Sequence, residues 1–342
     1  MGSRANYIII QNGKRDIYYA HWGAMHVPAV VINGPGETLA YIRGLAPDDQ
    51  LLDTTWAEGG ILVDTDTQTL LFWGGESIMY DPYRRRVLLP ALRIRWHDWA
   101  VSWASHGPVD FAVYLGLEPS SVNNQEAVDR MAPAPVALIV NPPEPGCATV
   151  ITVKWENGNI TDHCFLFDPD GVLLFGADLL GLLREKAPDA LPNEGAPEAS
   201  IGVAGGAYAD VAAHSLWVWA DSTLNPAYVA RIEQAWPGWR VEGHVDGLAR
   251  QLVLSGRDPA LVTPPLAQVI DELVAELADD DDFDPAPFGK ALLANLEGLG
   301  GAVQIAPGFF RMDRPQTSAE ERRELLTRLF RGVAQKTDSD SQ

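Results

Sequence analysis

The stretch "GGILVDTDTQTLLFW" at residues 59–73 returns in altered form as "GGAYADVAAHSLWVW" at residues 205–219. Both stretches open with two glycines, carry aspartate at the sixth position, and end on leucine, two variable residues and tryptophan. The first stretch predicts a β-hairpin, because apolar and polar residues alternate on either side of a polar turn. A hairpin that occurs twice with the same landmarks indicates that one folding unit occurs twice.

A longer likeness follows each hairpin. Residues 96–122 read "WHDWAVSWASHGPVDFAVYLGLEPSSV", residues 236–262 read "WPGWRVEGHVDGLARQLVLSGRDPALV", and the two align without a gap. The alignment pairs Trp96 with Trp236 and Trp99 with Trp239. Two shorter matches lie upstream in the same order: Asn-Gly occurs at 12–13 and 157–158, and Ala-Pro-Asp occurs at 46–48 and 187–189. We therefore predict a tandem duplication of a unit of about 115 residues, which is a usual domain size.

The first copy predicts the element order ββ-α-ββ-α-β. Its first hairpin turns at Asn12-Gly13, a dipeptide that favours tight reversals. Residues 82–96 predict a helix that is uncertain around Pro90, because proline disrupts helix interiors. The stretch "VDFAVYLGL" at residues 109–117 fits either a further strand or a short helix. Hairpins with interspersed helices favour an α+β fold with mostly antiparallel sheets.

The domain organisation follows from the duplication. Between the copies, residues around 125–131 predict a helix and "APAPVALIVNPPEPG" predicts an edge strand or a stiff linker. After the second copy, an amphipathic acidic helix, a helix-turn-strand segment and a terminal helix are predicted. We divide the chain into a first repeat at 1–122, a helix and Pro-rich linker at 123–148, a second repeat at 149–262 and a C-terminal helical extension at 263–342.

The chain is strongly acidic. Its 342 residues include 46 acidic and 25 basic side chains and give a formal net charge of −21. Such a surface repels nucleic-acid phosphates and anionic membranes, and it accelerates encounter with a basic protein. The sequence contains neither an apolar run long enough to span a membrane nor a signal-peptide core, so we expect a cytoplasmic protein with a basic protein partner.

Cofactor signatures are weak. The two cysteines, Cys147 and Cys164, lack the paired spacing of a structural zinc site. The Gly-rich stretch at residues 202–206 opens a repeated hairpin rather than a phosphate-binding loop. We therefore expect no bound metal and no cofactor.

The usual catalytic motifs are missing from the sequence. It contains no Gly-x-Ser-x-Gly, no Gly-x-x-x-x-Gly-Lys-Ser/Thr and no His-Glu-x-x-His. The favoured hypothesis is an acidic, non-enzymatic binding factor, such as an inhibitor or an immunity-type protein that neutralises a basic toxin domain. One alternative is a hydrolase with its active site in the groove between the repeats, for which His21 and Glu37 are the first residues to test. A second alternative is a structural subunit of a larger assembly.

Three sets of residues are candidates for binding. The acidic run after the extension's first helix is a candidate surface for a basic partner, and the tryptophans without a tryptophan at the equivalent position are candidate contacts. An arginine cluster in the first repeat predicts docking onto the acidic second half of the chain. In order, these residues are Asp279, Asp280, Asp281 and Asp282; Trp22, Trp103 and Trp155; and Arg84, Arg85, Arg86, Arg93 and Arg95.

Overall fold

We analysed a computed structural model of the chain. It describes residues 3–130, 149–165, 169–191, 205–220, 224–244, 247–278 and 318–340, together with positions 132, 133, 136, 203, 286, 287 and 290. The chain divides into two compact units. Unit 1 comprises Met1–Met79, Tyr83–Asn123 and Pro265–Gln342, and unit 2 comprises Tyr80–Pro82 and Asn124–Pro264. The C-terminal extension therefore packs with the first predicted repeat.

Unit 1 contains a six-stranded mixed sheet in the order β3-β2-β1-β4-β5-β6. Its strands are β1 (Ala5–Gln11), β2 (Lys14–Ala20), β3 (Ala46–Asp48), β4 (Gly59–Asp64), β5 (Thr69–Trp73) and β6 (Ala100–Trp103). Its helices are α1 (Val27–Val31), α2 (Pro35–Arg43), α3 (Glu76–Met79), α4 (Pro82–Arg95) and α5 (Pro108–Tyr114), with short 3-10 turns at Ala24–His26 and Pro119–Ser121.

Unit 2 contains a five-stranded mixed sheet in the order β11-β10-β9-β7-β8. Its strands are β7 (Thr149–Lys154), β8 (Ile160–Phe165), β9 (Gly205–Asp210), β10 (Ser215–Ala220) and β11 (Arg240–His244). Its helices are α6 (Gln125–Asp129), α7 (Pro169–Leu173), α8 (Asp178–Glu185), α9 (Pro226–Ala235) and α10 (Gly247–Leu254), with a 3-10 turn at Pro259–Leu261. Two of the helices that the structure describes in the C-terminal extension, α11 (Leu266–Ala278) and α12 (Ala319–Asp340), belong to unit 1.

The mixed sheets correct the prediction of mostly antiparallel sheets. Within each hairpin the strands are antiparallel, as predicted, but β1 pairs with β4 and β7 pairs with β9 in parallel. The edge strands β6 and β11 also run parallel to their neighbours β5 and β10. Described helices lie in the chain between the two strands of each parallel pair, as a parallel pairing needs a long connection.

Two elements that were ambiguous in the sequence are helices. The helix α4 continues through Pro90, with Val87, Leu88, Ala91 and Leu92 buried along one face. Burial of that face offsets the hydrogen bond that proline cannot make. Residues 108–114 form α5 rather than a strand, and Pro108 occupies the first helical position, where proline is favoured.

The paired glycines of the recurring stretch make room for its tryptophan. Gly60 pairs with Trp73 across the β4–β5 hairpin, and a Cβ atom on Gly60 would lie 2.7 Å from the rings of Trp73 and Phe111. Gly206 pairs with Trp219 across the β9–β10 hairpin, and a Cβ atom there would lie 2.8 Å from the Trp219 Nε1 atom. Glycine at this position therefore lets a large indole lie flat against its partner strand.

The second pair of tryptophans is also placed alike in the two units. Trp96 Nε1 donates to the carbonyl of Val31 at 2.7 Å, and its ring lies 5.0 Å from that of Trp99 at 81°. Trp236 Nε1 donates to the carbonyl of Leu173 at 2.8 Å, and its ring lies 4.9 Å from that of Trp239 at 72°. The buried Trp96 therefore links the end of α4 to α1, and the buried Trp236 links the end of α9 to α7.

We expect the substitution Gly60→Ala to lower the free energy of unfolding of unit 1 by about 1–3 kcal/mol, the usual cost of an overpacked core. Its Cβ would meet two aromatic rings and lie 2.8 Å from the Asn6 carbonyl oxygen. Gly36→Ala in α2 is the matched control, because a Cβ there has no neighbour within 4 Å. Urea unfolding of the two variants measures the difference; equal midpoints would contradict the packing argument.

Candidate functional site

An acidic loop follows the edge strand β3 of unit 1. We use this name for residues 48–58, which contain Asp48, Asp49, Asp53 and Glu58 and no basic residue. The loop connects β3 to β4, and β3 forms one edge of the sheet. The loop therefore runs from the edge of the sheet to its fourth strand, β4, and carries four acidic side chains along the way.

Hydrogen bonds fix the conformation of the acidic loop. The buried Asn6 side chain accepts from the Leu52 amide at 2.6 Å, and the Val122 carbonyl accepts from the Thr54 amide at 2.8 Å. Asp53 Oδ1 accepts from the amides of Thr55 and Trp56 at 2.8 and 3.2 Å. A loop held in this way loses little conformational entropy when a partner binds.

Trp56 is the exposed aromatic residue of the acidic loop. Its accessible surface is 52% of the maximum, although large aromatic side chains are usually buried. The Arg4 guanidinium lies 4.8 Å from the ring centroid, and the Arg4 amide donates to Glu58 Oε2 at 2.8 Å. The Arg4 guanidinium also lies 4.0 Å from Glu58 Oε2, so the cation that supports the indole is paired with Glu58. Tryptophan in such a setting is the residue type most often found to dominate binding energy in protein interfaces.

The structure places the three tryptophans proposed from the sequence in more enclosed surroundings. Trp22 is 7% exposed and packs edge-on against His21, with 5.0 Å between ring centroids. Trp155 is 8% exposed, and its Nε1 donates to Thr161 Oγ1 at 2.9 Å. Trp103 is half-buried, and the Arg85 guanidinium lies 5.3 Å from its ring. Their part in binding a partner stays a prediction, but each offers a partner less surface than Trp56.

His21 and Glu37, the residues to test for hydrolase activity, lie in different surroundings. His21 follows β2, is 3% exposed, and its Nδ1 lies 2.8 Å from the hydroxyl of Tyr19. Glu37 lies in the first turn of α2 and is exposed. A catalytic role for this pair stays a prediction.

The arginine cluster on α4 makes its described contacts inside unit 1. Arg84 forms ion pairs with Glu272, at 2.9 Å, and with Glu276, both on the acidic helix α11. Arg85 is buried and donates to the carbonyls of Ile78, at 3.1 Å, and Met79. Arg84 thus holds the C-terminal extension, while docking between the repeats stays a prediction for the whole cluster. The remaining members are Arg86, Arg93, which is exposed, and Arg95, which donates to the Asn33 carbonyl at 2.6 Å.

The acidic run Asp279, Asp280, Asp281 and Asp282 lies outside the described residues, as does Cys147. Cys164 is half-buried on β8, and its Sγ lies 3.7 Å from the Ala190 carbonyl oxygen. Within the described part of the chain, His, Cys, Asp and Glu side chains form no group of three or more that could hold a metal ion. None of the helices described is long and apolar enough to cross a bilayer.

Sequence analysis did not identify a polar cluster on one face of the unit 2 sheet. Asp162 of β8 accepts from Thr152 Oγ1 at 2.6 Å and forms a two-pronged ion pair with Arg257. Gln251 of α10 donates to Thr152 Oγ1 at 2.7 Å and to the Val150 carbonyl at 3.2 Å, and its Oε1 accepts from Trp219 Nε1. The side chains of Asp162 and Gln251 are nearly or fully buried, so each hydrogen bond replaces contact with water.

The equivalent positions of unit 1 are apolar. Thr152 pairs with Asp162 and Tyr208 in the unit 2 sheet, and Ile8 pairs with Ile17 and Leu62 in the unit 1 sheet. Gln251 aligns with Phe111, and each contacts the second glycine of its hairpin. Likewise, Ser255 and Arg257 align with Leu115 and Leu117. The sheet topology shared by the two units therefore accepts either a polar or an apolar set at these positions.

Two histidines have perturbed pKa values with opposite signs. In unit 1, a hydrogen bond to Asp110 raises the pKa of His106, with 2.8 Å between His106 Nδ1 and Asp110 Oδ1. In unit 2, burial lowers the pKa of His163 to about 4, assisted by the positive charge of Lys186. His163 is 1% exposed, and its Nε2 lies 3.0 Å from Thr161 Oγ1. At neutral pH His163 is therefore uncharged.

No protein-family model, curated protein or solved structure matches the chain. Among the described surfaces, the acidic loop combines a hydrogen-bonded backbone, four acidic side chains and an exposed indole.

Proposed function

We propose that this protein is an acidic, non-enzymatic binding factor that neutralises a basic protein partner, as an inhibitor or immunity-type protein does. The observation that carries the proposal is the acidic loop, in which Trp56 is exposed between Asp53 and Glu58 on a hydrogen-bonded backbone. An indole supplies apolar contact area, and the surrounding carboxylates attract lysine and arginine side chains. The net charge of −21 adds long-range attraction for the same class of partner.

We also propose that the two units arose by duplication of one scaffold. The first support is the strand order, since the first hairpin, the second hairpin and the last strand are arranged in the same order in both sheets. The second support is the pair of tryptophans that recurs in the sequence, with ring contacts of similar distance and angle in the two units. Positions common to both units then serve the scaffold. Features present in one unit alone, such as Trp56 of the acidic loop, are the better candidates for function.

The proposal predicts that the substitution Trp56→Ala weakens partner binding by about tenfold to a hundredfold, the usual effect of losing a central aromatic contact. The first partner to test is the purified product of the gene beside the one that encodes this chain. Tyr80→Ala is the matched control, because it removes another exposed ring, with 49% accessible surface, from unit 2. Isothermal titration calorimetry measures both variants. An absence of association with the adjacent product, or equal losses for the two variants, would contradict the proposal.

A further inference from the structure

A groove of about 720 Å³ opens in unit 1. None of the residues that line it belongs to the acidic loop. Three helices supply its walls: the N-terminal end of α2, the C-terminal end of α4 and the N-terminal half of α12. Its volume falls in the range of sites that bind small molecules. Because α12 belongs to the C-terminal extension, the described helices of unit 2 include no counterpart to this wall.

Aliphatic side chains form part of the groove lining. Ile94 on α4 is 45% exposed, which is unusual for an isoleucine that neighbours a packed helix. Leu325 and Leu329 on α12 line the same groove. Ile94 and the half-buried Leu325 present aliphatic surface that a ligand's hydrocarbon portion would cover, with the gain that accompanies removal of apolar area from water. Leu329 is 8% exposed and belongs to the core of unit 1.

Two arginines border this aliphatic surface. Arg95 is positioned by its hydrogen bond to the Asn33 carbonyl, and Gly34 allows the close approach, since a Cβ there would lie 3.0 Å from Arg95 Nε. A guanidinium has five donors, and this is the one hydrogen bond that Arg95 makes within the described residues. Arg328 makes one long contact, 3.4 Å from its Nε to the Glu324 carbonyl. Both guanidinium groups therefore retain donors for an anion.

The cationic border continues beyond the groove. Arg328 also lines an adjoining hollow of about 360 Å³, together with Arg323 and Arg331. The acidic residues of the groove, Glu37 and Glu321, each lie in the first turn of a helix, where the helix dipole partly offsets a negative charge. Glu321 is also engaged in its own helix cap, since Ser318 Oγ donates to it at 2.8 Å. The groove lining therefore carries two arginines and two glutamates, and the guanidinium donors that an anion could use come from Arg95 and Arg328.

We propose that this groove binds a small amphipathic anion, with its carboxylate or phosphate head between Arg95 and Arg328 and its aliphatic portion on Ile94 and Leu325. The bidentate geometry of a guanidinium suits either head group. The ligand carries few charges, because the net charge of −21 repels polyanions at separations within the Debye length. This site is independent of the acidic loop and of its proposed partner.

Calorimetric titration of the full chain with sodium octanoate, octyl phosphate and octylammonium chloride tests the head-group and tail requirements together. We expect the two anions to bind at a single site and octylammonium not to bind. The substitution Arg328→Gln is expected to weaken anion binding about tenfold, since it removes a charge-assisted contact. Ile94→Ser is expected to weaken octanoate binding by a similar factor and to leave the affinity for short acetate unchanged. Melting curves of each variant show whether the fold is retained.

Arg93→Gln is the matched control, because Arg93 is an exposed arginine of α4 that does not line the groove. It changes the net charge by the same amount as Arg328→Gln and is expected to leave anion affinity within twofold of the original. Binding of octanoate alone or of octyl phosphate alone would support the proposal and identify the head group. Equal binding of octylammonium, equal losses in Arg93→Gln and Arg328→Gln, or no binding of either anion would overturn it.

Discussion

The substitution Arg257→Leu is expected to lower the free energy of unfolding of unit 2 by about 3–5 kcal/mol, because it leaves a buried carboxylate without its cation. Asp162 is 9% exposed and accepts two hydrogen bonds from the Arg257 guanidinium as well as one from Thr152. Thr152 also receives a hydrogen bond from Gln251, so the loss extends to the network on α10. Urea unfolding followed by circular dichroism measures the change.

The apolar residues at the equivalent positions of unit 1 suggest a compensating second substitution. Combining Asp162→Ile with Arg257→Leu places at both positions the residue types that unit 1 carries at Ile17 and Leu117. We expect the double variant to recover most of the lost stability, since apolar residues of suitable volume replace buried ion pairs at little cost. Arg240→Leu is the control, because it breaks an exposed pair with Glu242 and should cost less than about 1 kcal/mol. A double variant no more stable than Arg257→Leu would show that the equivalence of the two units fails here.

Acidification is expected to destabilise unit 2 through His163. Its pKa in the folded protein is about 4, below the value of an unfolded histidine, so the unfolded state binds the proton more tightly. The stabilisation is present above pH of about 6.5, declines as the pH falls, and is lost below the folded pKa. A pKa shift of this size lowers the free energy of unfolding by roughly 3 kcal/mol at pH 4 relative to pH 7.

Comparison with a variant isolates this effect from that of the carboxylates. His163→Leu removes the titrating group, and Thr161 keeps its hydrogen bond from Trp155 Nε1. The difference in free energy of unfolding between pH 7 and pH 4 should therefore be smaller in His163→Leu than in the original protein. His97→Asn is the control, because it removes a histidine whose side chain is 87% exposed rather than buried. Identical pH profiles for all three proteins would contradict the burial argument.

The sequence predicted the local elements because their signals are local. Asn12-Gly13 turns the first hairpin, with Gln11 paired to Lys14, and the alternation in residues 59–73 gives the second, with Gly60 paired to Trp73. The conformations Asn12 φ +54° and Gly13 φ +71° are those that an Asn-Gly turn requires. The helical extension was also predicted, from the apolar stripe of α11 and the Ser318–Glu321 capping box.

Strand pairing between hairpins was not predicted, because it is a long-range property. Nothing in residues 5–11 indicates that β1 pairs with β4 in parallel. The alternation of apolar and polar residues in a hairpin is the same whichever strand of the next hairpin lies beside it. The same limit explains α5. Its residues 109–114 suit a strand or a helix, and the buried Phe111 that packs against Trp73 decides the outcome.

For the candidate binding surface, the sequence analysis named the residue types, acidic residues and tryptophan, but not the positions in the acidic loop. The sequence singled out acidic residues and the tryptophans Trp22, Trp103 and Trp155, but Trp22 and Trp155 are buried and Trp56 is exposed. A signal for Trp56 was present in the sequence, since Asp53, the two threonines and Glu58 surround it with turn-forming and charged residues. The polar cluster of unit 2 could not be found, because Thr152, Asp162 and Arg257 are far apart in the chain and resemble ordinary surface residues until the sheet brings them together.

The rate of association with the product of the adjacent gene, measured by stopped-flow fluorescence at about 50 and 500 mM salt, tests the proposed function most directly. An acidic docking surface predicts that the rate constant falls at least tenfold at high salt. Asp49→Asn in the acidic loop should reduce the low-salt rate, whereas Asp98→Asn, which removes an exposed charge beside the opposite edge strand β6, should leave it nearly unchanged. A rate that is independent of salt, or equally reduced by the two substitutions, would contradict the account.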